Sequence, residues 1–232
     1  MSRVNRPAWS RLALEGLAVL FGVLAAFWVE SVGQAYANLE KVEAHLGALR
    51  SEISINQQIL EAQIGNGRRM VDTIEHYLAT VILPEAGASP GREEVTDMLK
   101  VTGPPQLVEY QRGALDDLLA GGGLPILDDE LVRQGVLTYA RLLADEADAQ
   151  QSIDRFWSDQ IGPYYFEYGS LLDFMPVGEE LNLEAHPPVI DAFVRSRQFS
   201  NLMAERRQFE LRLLRRRTML ETQTDSLVAL IR

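Results

Sequence analysis

The chain of 232 residues contains no cysteine. Disulfides, thiolate metal ligands and thiol nucleophiles are therefore excluded, and any folded domain must be held together by packing alone. The three histidines, His45, His76 and His186, are far apart in the sequence, and none has the spacing of a zinc-binding motif. We expect neither a metal site nor a cofactor.

The sequence motifs of catalysis are also missing. We find no nucleophile elbow, dinucleotide fingerprint or Walker loop. The run Gly121-Gly122-Gly123 is glycine-rich, but no Lys-Ser or Lys-Thr follows it, and nearby carboxylates such as Asp117 and Asp128 would repel a phosphate. We therefore predict that the triple glycine is a turn that ends a helix, and that the protein is not an enzyme.

One long apolar run, Leu12–Val29, contains a single ionisable residue, Glu15. At 1.5 Å rise per residue, a helix from Trp9 to Trp28 covers about 28 Å, close to the roughly 30 Å thickness of a bilayer's hydrocarbon core. Trp favours the membrane interface, and a long basic side chain can extend toward it. The sequence predicts a transmembrane helix over residues 12–30, with interfacial anchors at Trp9, Trp28 and Arg11.

A cleaved secretory signal is the alternative interpretation of this run, because Ala35-Tyr36-Ala37 has the small-x-small form of a signal-peptidase site. We favour the membrane anchor. The run is longer than the usual core of a signal peptide, and helix-favouring residues continue past the potential cleavage site.

The charges on the two sides of the run predict its orientation. Arg3, Arg6 and Arg11 precede it, whereas the first basic residue after it is Lys41. By the positive-inside rule, residues 1–11 form a cytoplasmic tail, and residues 31–232 form an extramembrane domain, which lies in the periplasm if the source is a bacterium. We predict one such domain.

Small residues recur every four positions within the predicted span, at Ala18, Gly22 and Ala26. This spacing places them in one stripe where another membrane helix can approach closely. The competing interpretation is that Gly and Ala are simply common in membrane helices. Glu15 follows Arg11 by four residues, and we favour a local pair between the two over contact with a partner's cation.

After the span the helix is predicted to continue as a stalk, because apolar residues keep the alternating three- and four-residue spacing of a coiled-coil seam. Asn56 occupies the one polar position. The partner helix comes either from the C-terminal part of this chain, which we favour, or from a second copy. Gly65 and Gly67 are expected to interrupt or kink the helix before it resumes and ends at Pro84. The seam consists of Leu39, Val42, Leu46, Leu49, Ile53 and Leu60.

The rest of the chain is predicted to be helical, so the fold class is all-α: a transmembrane helix continuing into a stalk, plus an extramembrane helical bundle. Loops are expected over Glu85–Gly91 and Met175–Pro188. The expected helices are a short one over Glu93–Val101, one over about Gln106–Ala120, a long one capped by Asp128 or Asp129 and ended by Gly162-Pro163, and a closing one over Val189–Ile231.

An aromatic cluster follows the long helix. We predict that it packs in a core or interface, in preference to binding a ligand. The cluster comprises Phe156, Trp157, Tyr164, Tyr165, Phe166 and Tyr168.

The net charge of −11 is unevenly distributed: residues 103–190 have a charge of −12, and residues 191–232 have +4. The acidic middle argues against a nucleic-acid partner. A charge run like that of the arginine-rich closing helix is usually a solvated, ion-paired surface. The alternative interpretation is a docking patch for an acidic neighbour. That candidate patch contains Arg206, Arg207, Arg212, Arg215, Arg216 and Arg217.

Two segments resemble a family of uncharacterised bacterial single-span inner-membrane proteins with a helical extramembrane domain. The segments are EGLAVLFGVLAAFWVES at residues 15–31 and ALDDLLAGGGLPILDDELVRQGVLTYARLL at residues 114–143. In the family, the second segment implies a helix, a glycine turn, a short apolar piece and an acidic-capped helix. The triple glycine departs from the single glycine usual there. The resemblance implies no catalytic residues.

These observations favour a non-catalytic accessory subunit. Its span would dock into a larger bacterial membrane complex, of the electron-transfer or light-harvesting type, and its helical domain would brace that complex. We therefore expect other membrane-protein subunits as partners, and association with a second copy stays open. The alternative hypothesis is a membrane-anchored periplasmic sensing module that binds a ligand near the cluster Tyr164–Tyr168.

Overall fold

The computed structural model describes residues 9–82, 98–168 and 195–231, and these residues contain helices and no β-strand. Loops predicted over Glu85–Gly91 and Met175–Pro188 lie outside the described residues, as does His186. The elements are α1 (Trp9–Ile82), α2 (Gly113–Ala120), a 3₁₀ turn (Leu124–Ile126), α3 (Glu130–Phe156), a π turn (Trp157–Ile161), α4 (Gly162–Tyr168) and α5 (Arg197–Leu230).

Helix α1 is 74 residues long and continues from the apolar run into the bundle without a break. Its 18-residue apolar window has a mean hydropathy of 1.8, and none of that window is buried. The large apolar side chains from Leu17 to Val29 are 47–69% exposed. A core helix would bury such residues, so this part of α1 is long and apolar enough to span a membrane and is not a core helix of the bundle.

The bundle begins about twelve residues beyond the apolar run. Residues 30–41, which we call the neck, are mostly exposed, and at 1.5 Å per residue they span about 18 Å. From Val42 onward the predicted seam is covered by other helices of the same chain. Leu39 is an exception, because it is exposed on the neck and takes no part in the seam.

Helix α5 runs antiparallel to both α1 and α3. Along α1, Gln57 bonds to Asp225, and Glu75 bonds to Arg207. Along α3, the side chain of Gln223 reaches the Gly135 carbonyl, while Phe156 stacks on Phe209 with ring centroids 4.8 Å apart. Helices α1, α3 and α5 therefore form a three-helix bundle in which α5 packs on both of the others. The stalk thus packs on a C-terminal helix of the same chain, which is the arrangement that we favoured.

Two apolar cores lie along the bundle. The near core, on the side of the neck, includes Leu49, Ile53, Leu115, Leu118, Val136, Tyr139, Leu220 and Leu227. The far core includes Ile74, Tyr77, Phe156, Ile161, Tyr164, Tyr165, Phe199 and Met203. The residues between these two sets are mainly polar and form the candidate site described below.

Neither Gly65 nor Gly67 interrupts α1, contrary to the prediction. Gly65 is exposed, with open space where a Cβ would stand. Gly67 instead permits a close approach of α5, because a Cβ there would lie 2.8 Å from Leu214 Cδ2. The glycine therefore serves the contact between helices, and it does not end the helix.

The prediction of a helix from Gln106 is also wrong, because α2 begins only at Gly113. Residues 105–112 are non-helical, and their backbone groups bond to side chains of the long helices. The Gln111 N–H donates to Asn56 Oδ1 (2.8 Å), and Asn56 Nδ2 donates to the Gln111 carbonyl (2.7 Å). Such bonds replace the backbone hydrogen bonds of a helix, so the N–H and carbonyl groups of this segment have partners although the segment is not helical.

The prediction that Gly162-Pro163 ends the long helix is wrong. A five-residue π turn follows α3, and α4 continues directly from it through Pro163. Proline lacks an N–H, and its ring clashes with the carbonyl four residues back in an ordinary α-helix. A wider π turn just before it relieves that clash while the helix keeps its course.

The triple glycine ends α2, as predicted. Gly122 has φ of +72°, and the Gly121 N–H donates to the Asp117 carbonyl at 2.8 Å. A Cβ at Gly123 would lie 2.7 Å from Leu118 Cδ1. The next long helix is capped by Asp129, whose carboxylate accepts from the N–H groups of Leu131 and Val132, so the alternative cap at Asp128 is not used.

The same substitution should have opposite effects at two of these glycines. Gly122→Ala places a Cβ in the left-handed region and should lower the free energy of unfolding by about 1 kcal/mol. Gly65→Ala, on an exposed helical surface, should raise it by about 1 kcal/mol. Urea unfolding of the full chain in mild detergent, followed by circular dichroism, measures both. Equal effects of the two changes would contradict the assigned turn.

Candidate functional site

Buried charged and amide side chains separate the near core from the far core. We call this set the polar layer: Glu146 and Gln150 on α3, and Arg206, Glu210 and Arg217 on α5. All five side chains are buried. Because a buried charge is costly unless it is paired and hydrogen-bonded, their partners determine what the layer can do.

Arg217 bonds to two other helices of its own chain. Its Nε donates to Glu146 Oε1 at 3.0 Å, and its Nη1 donates to the Gln63 carbonyl on α1 at 3.2 Å. The pair thus joins α3, α5 and α1. Beside it lies the phenol of Tyr110, whose pKa is raised by burial and by the negative charge of Glu146.

Amide side chains of the long helices hold the non-helical segment 105–112 beside the polar layer. Gln150 Oε1 accepts from the Val108 N–H at 2.7 Å, and Gln150 Nε2 donates to the Val108 carbonyl at 3.1 Å. Asn56 likewise accepts from the Gln111 N–H and donates to the Gln111 carbonyl. Its Nδ2 also donates to the Tyr139 hydroxyl at 2.9 Å. The polar position in the seam is therefore an anchor for this segment.

A carboxylate from α1 caps α2. Glu52 Oε2 accepts from the Ala114 N–H at 2.6 Å, and Oε1 accepts from the Leu115 N–H at 3.3 Å. The residue that precedes α2, Arg112, offers no side-chain cap. A negative group at a helix N-terminus satisfies open N–H groups and the helix dipole, so Glu52 is stable in its buried position.

Arg206 is paired only in part. It is 0% exposed, and its Nε and Nη2 both donate to Glu210 Oε1, at 3.0 Å and 2.9 Å. Its Nη1 has no hydrogen-bond partner among the described residues. Burial lowers the pKa of this guanidinium, and the neighbouring Glu210 opposes that shift.

A cavity of about 590 Å³ lies against the polar layer and is lined by residues of α1, segment 100–107, α3 and α5. Four of the five polar-layer residues line it, and its other polar and charged lining residues are Gln63, Asn66, Arg69, Asp72, Thr73, Lys100 and Gln106. Its apolar lining includes Met70, Val101, Leu107, Ile153 and Leu213. The volume falls in the range of about 300–1,000 Å³ that is usual for small-molecule sites.

The six arginines predicted to form a docking patch do not share one surface. Arg206 and Arg217 are buried in the polar layer, so neither can belong to a surface patch. Among the others, Arg207 pairs with Glu75, Arg216 donates to the Asp145 carbonyl, and the Arg212 guanidinium lies 4.4 Å from the Phe209 ring centroid. With 3.6 residues per turn, positions 206, 210, 213 and 217 fall on the inward face of α5.

The aromatic cluster lies mainly in the far core. Tyr164 and Tyr165 are buried, and each ring lies within about 6 Å of the Phe199 ring. Phe166 is exposed, and the side chain of Tyr168 lies outside the described residues. The cavity is formed elsewhere, and of the predicted site residues only Arg206 and Arg217, selected for a docking patch, are among those that line it.

The predicted contact stripe meets no other described element of the chain, like the rest of the apolar part of α1. Ala18, Gly22 and Ala26 are exposed, and a Cβ at Gly22 would meet no atom within 4 Å. Trp28 is 69% exposed. Trp9 and Arg11 lie within α1, and their side chains are outside the described part of the structure.

Breaking the pair between Arg217 and Glu146 should destabilise the bundle strongly. Arg217→Met or Glu146→Gln alone leaves one buried charge unpaired and should cost about 3 kcal/mol. The double variant should lose at least 1 kcal/mol less than the sum of the single losses, because the two residues are coupled. Thermal unfolding of the full chain in mild detergent provides the measurement.

The exposed pair of Arg141 and Asp145 on α3 is the control for the loss of an ion pair as such. Arg141→Met should cost about 0.5 kcal/mol or less. Additive losses at Arg217 and Glu146, or losses as small as that at Arg141, would contradict the assignment of a buried coupled pair.

The chain matches no known protein-family model, no curated protein and no solved structure. The resemblance of residues 15–31 and 114–143 to a single-span family therefore stays a prediction.

Proposed function

We propose that the protein is a single-pass membrane protein that docks by its span against another membrane protein and projects a rigid helical bundle from the bilayer. The observation that supports this most is the exposed apolar part of α1. A surface of this size, formed by Leu, Val, Phe and Trp side chains in water, would be strongly unfavourable, whereas a bilayer accommodates it at no cost.

The continuity of α1 supports a bracing role. The same helix forms the apolar segment, the neck and one wall of the bundle, with no loop that would let the bundle swing freely. A partner fixed to the span would therefore also fix the direction in which the bundle projects. This is the mechanical property that an accessory subunit of a larger membrane complex requires.

The stripe of small residues is the proposed docking surface. Lipid tails are as apolar as Leu side chains, so membrane helices associate where small residues let their backbones approach closely. Ala18, Gly22 and Ala26 are exposed, and a Cβ at Gly22 would meet nothing within 4 Å. We propose that the partner is another transmembrane helix, and that the bundle lies on the non-cytoplasmic side, as the charges that flank the span indicate.

Gly22→Leu should weaken docking without impairing membrane insertion. It adds four carbons where two backbones would nearly touch, while the span becomes more hydrophobic. Because one membrane contact is worth only about 1 kcal/mol, the expected result is partial dissociation of the complex in detergent. The measurement is the amount of protein that co-purifies with the variant, relative to the unaltered chain.

Gly16→Leu is the matched control. Gly16 also has open space around it, and at 100° per residue it lies roughly 120° around the helix from Gly22. It should co-purify with its partners as the unaltered chain does. Full co-purification of Gly22→Leu would show that the stripe faces lipid, and would remove the proposed docking surface.

The absence of cysteine permits a direct test of orientation. Ser226→Cys places a single thiol on the exposed surface of α5, and Ser2→Cys places one before the span. In intact cells with a permeable outer envelope, a membrane-impermeant maleimide should label the first variant and spare the second. The reverse pattern would overturn the proposed orientation, and labelling of both before lysis would overturn the membrane anchor.

A further inference from the structure

The non-helical segment 105–112, which we call the strap, is held to the bundle through its backbone. Gln150 of α3 accepts from the Val108 N–H at 2.7 Å and donates to the Val108 carbonyl at 3.1 Å. Asn56 of α1 makes the same two bonds to Gln111, at 2.8 Å and 2.7 Å. Each amide thus satisfies the N–H and the carbonyl of one residue, as a neighbouring strand does in an antiparallel β-sheet.

Both amide side chains are buried, and other residues of the long helices hold them in place. Asn56 Nδ2 also donates to the hydroxyl of Tyr139, and Gln150 Nε2 also donates to Glu146. Tyr139 and Glu146 lie on α3 and are themselves buried. Because these partners do not belong to the strap, the two amides would keep their orientation if the strap left.

The side chains of the strap contribute little to its attachment. Positions 107, 109 and 111 are exposed, whereas positions 108, 110 and 112 are buried or half-buried, which is the alternation of an extended segment. Only Tyr110 is fully buried, and it packs in the near core. The bundle therefore holds the backbone of an extended segment that has one buried aromatic side chain.

The strap fits its place imperfectly. Three buried polar side-chain atoms have no hydrogen-bond partner among the described residues, and two of them, the Tyr110 hydroxyl and Arg112 Nε, are on the strap. Such groups cost stability. The cavity of about 590 Å³ is lined in part by residues 104–107, and a second cavity, of about 670 Å³, is lined in part by residues 108–113. Both cavities leave room for a larger occupant.

The long helices do not need the strap in order to pack on one another. Helix α5 packs along both α1 and α3, whereas the backbones of α1 and α3 rarely approach each other directly. The strap bridges these two helices through Asn56 and Gln150. If the strap leaves, a groove between α1 and α3 should therefore remain, with both amides in place.

We propose that the strap is an autoinhibitory segment. It occupies in cis a groove between α1 and α3 that binds the backbone of an extended peptide, and its release admits an extended segment of a partner protein. The matching segment has an aromatic side chain between two residues other than proline, as Tyr110 lies between Val108 and Gln111. The groove lies in the bundle, so this function does not depend on the membrane anchor.

The test uses the full chain in lipid nanodiscs and a fluorescein-labelled peptide of residues 104–114, with fluorescence anisotropy as the readout and empty nanodiscs as the blank. Val108→Pro combined with Gln111→Pro removes both bonded N–H groups of the strap and leaves Asn56 and Gln150 unaltered. This release variant should bind the peptide at least about tenfold more tightly than the unaltered chain, in which the strap competes in cis.

Three controls locate the binding. Glu109→Pro places a proline at an exposed position of the strap whose N–H makes no hydrogen bond to another described residue, and should leave the groove closed. A labelled peptide that itself carries Val108→Pro and Gln111→Pro should not bind. Adding Gln150→Leu to the release variant removes one of the two amides and should weaken peptide binding by about tenfold or more.

Tyr110→Ala is a second release variant, because it removes the one buried side chain of the strap and keeps the N–H groups. Circular dichroism reports whether each variant keeps its helices. The proposal is overturned if the release variants that keep their helices bind the peptide no more tightly than the unaltered chain. It is also overturned if both variants lose their helices, because the strap is then an integral part of the fold. Equal binding of the proline-containing peptide would show that the groove does not recognise backbone.

Discussion

The packing of α5 along one continuous α1 is the interaction on which the rest of the structure depends. Without cysteine, no covalent link supports the bundle, so its stability comes from the two apolar cores and the contacts between the long helices. Gly67 permits a close approach of α5 to α1, beside Leu214. Because α1 also includes the exposed apolar segment, this packing connects the proposed membrane anchor directly to the bundle.

The polar layer imposes a specific arrangement on helices that apolar packing alone would allow to slide. Arg217 must meet Glu146 and the Gln63 carbonyl together, since an unpaired buried charge would be strongly destabilising. Glu52, Asn56 and Gln150 then fix the segment between α1 and α3 by bonds to its backbone. In the same layer, Nη1 of Arg206 is buried and has no hydrogen-bond partner among the described residues.

Local patterns in the sequence predict much of this fold. The apolar run, the seam from Val42 onward, the glycine turn before Leu124 and the cap at Asp129 each follow from residues within a few positions of one another. An all-α fold with one long N-terminal helix was predictable for the same reason. The orientation of the span and the accessory role stay predictions, because no described contact bears on them.

Features that depend on residues distant in the sequence were not predictable from it. Residues 106–112 have helix-compatible composition, but Asn56 and Gln150, which lie 55 and 42 residues away from their partners, bond to their backbone. An arginine-rich helix resembles a solvated surface, yet the inward face of α5 includes Arg206 and Arg217, for which Glu210 and Glu146 are the partners. The three- and four-residue spacing of positions 206, 210, 213 and 217 places them on one helix face, and this was the only sign in the sequence that the face could be buried.

The central claim is that the exposed apolar part of α1 is a membrane anchor that docks with other membrane proteins. Blue-native separation of membranes dissolved in a mild detergent, with immunodetection of this chain, tests it most directly. The account predicts that the chain remains in the membrane fraction after alkaline washing and then migrates within a larger assembly that contains other proteins. Migration as a free monomer, or as an assembly of this chain alone, would contradict it.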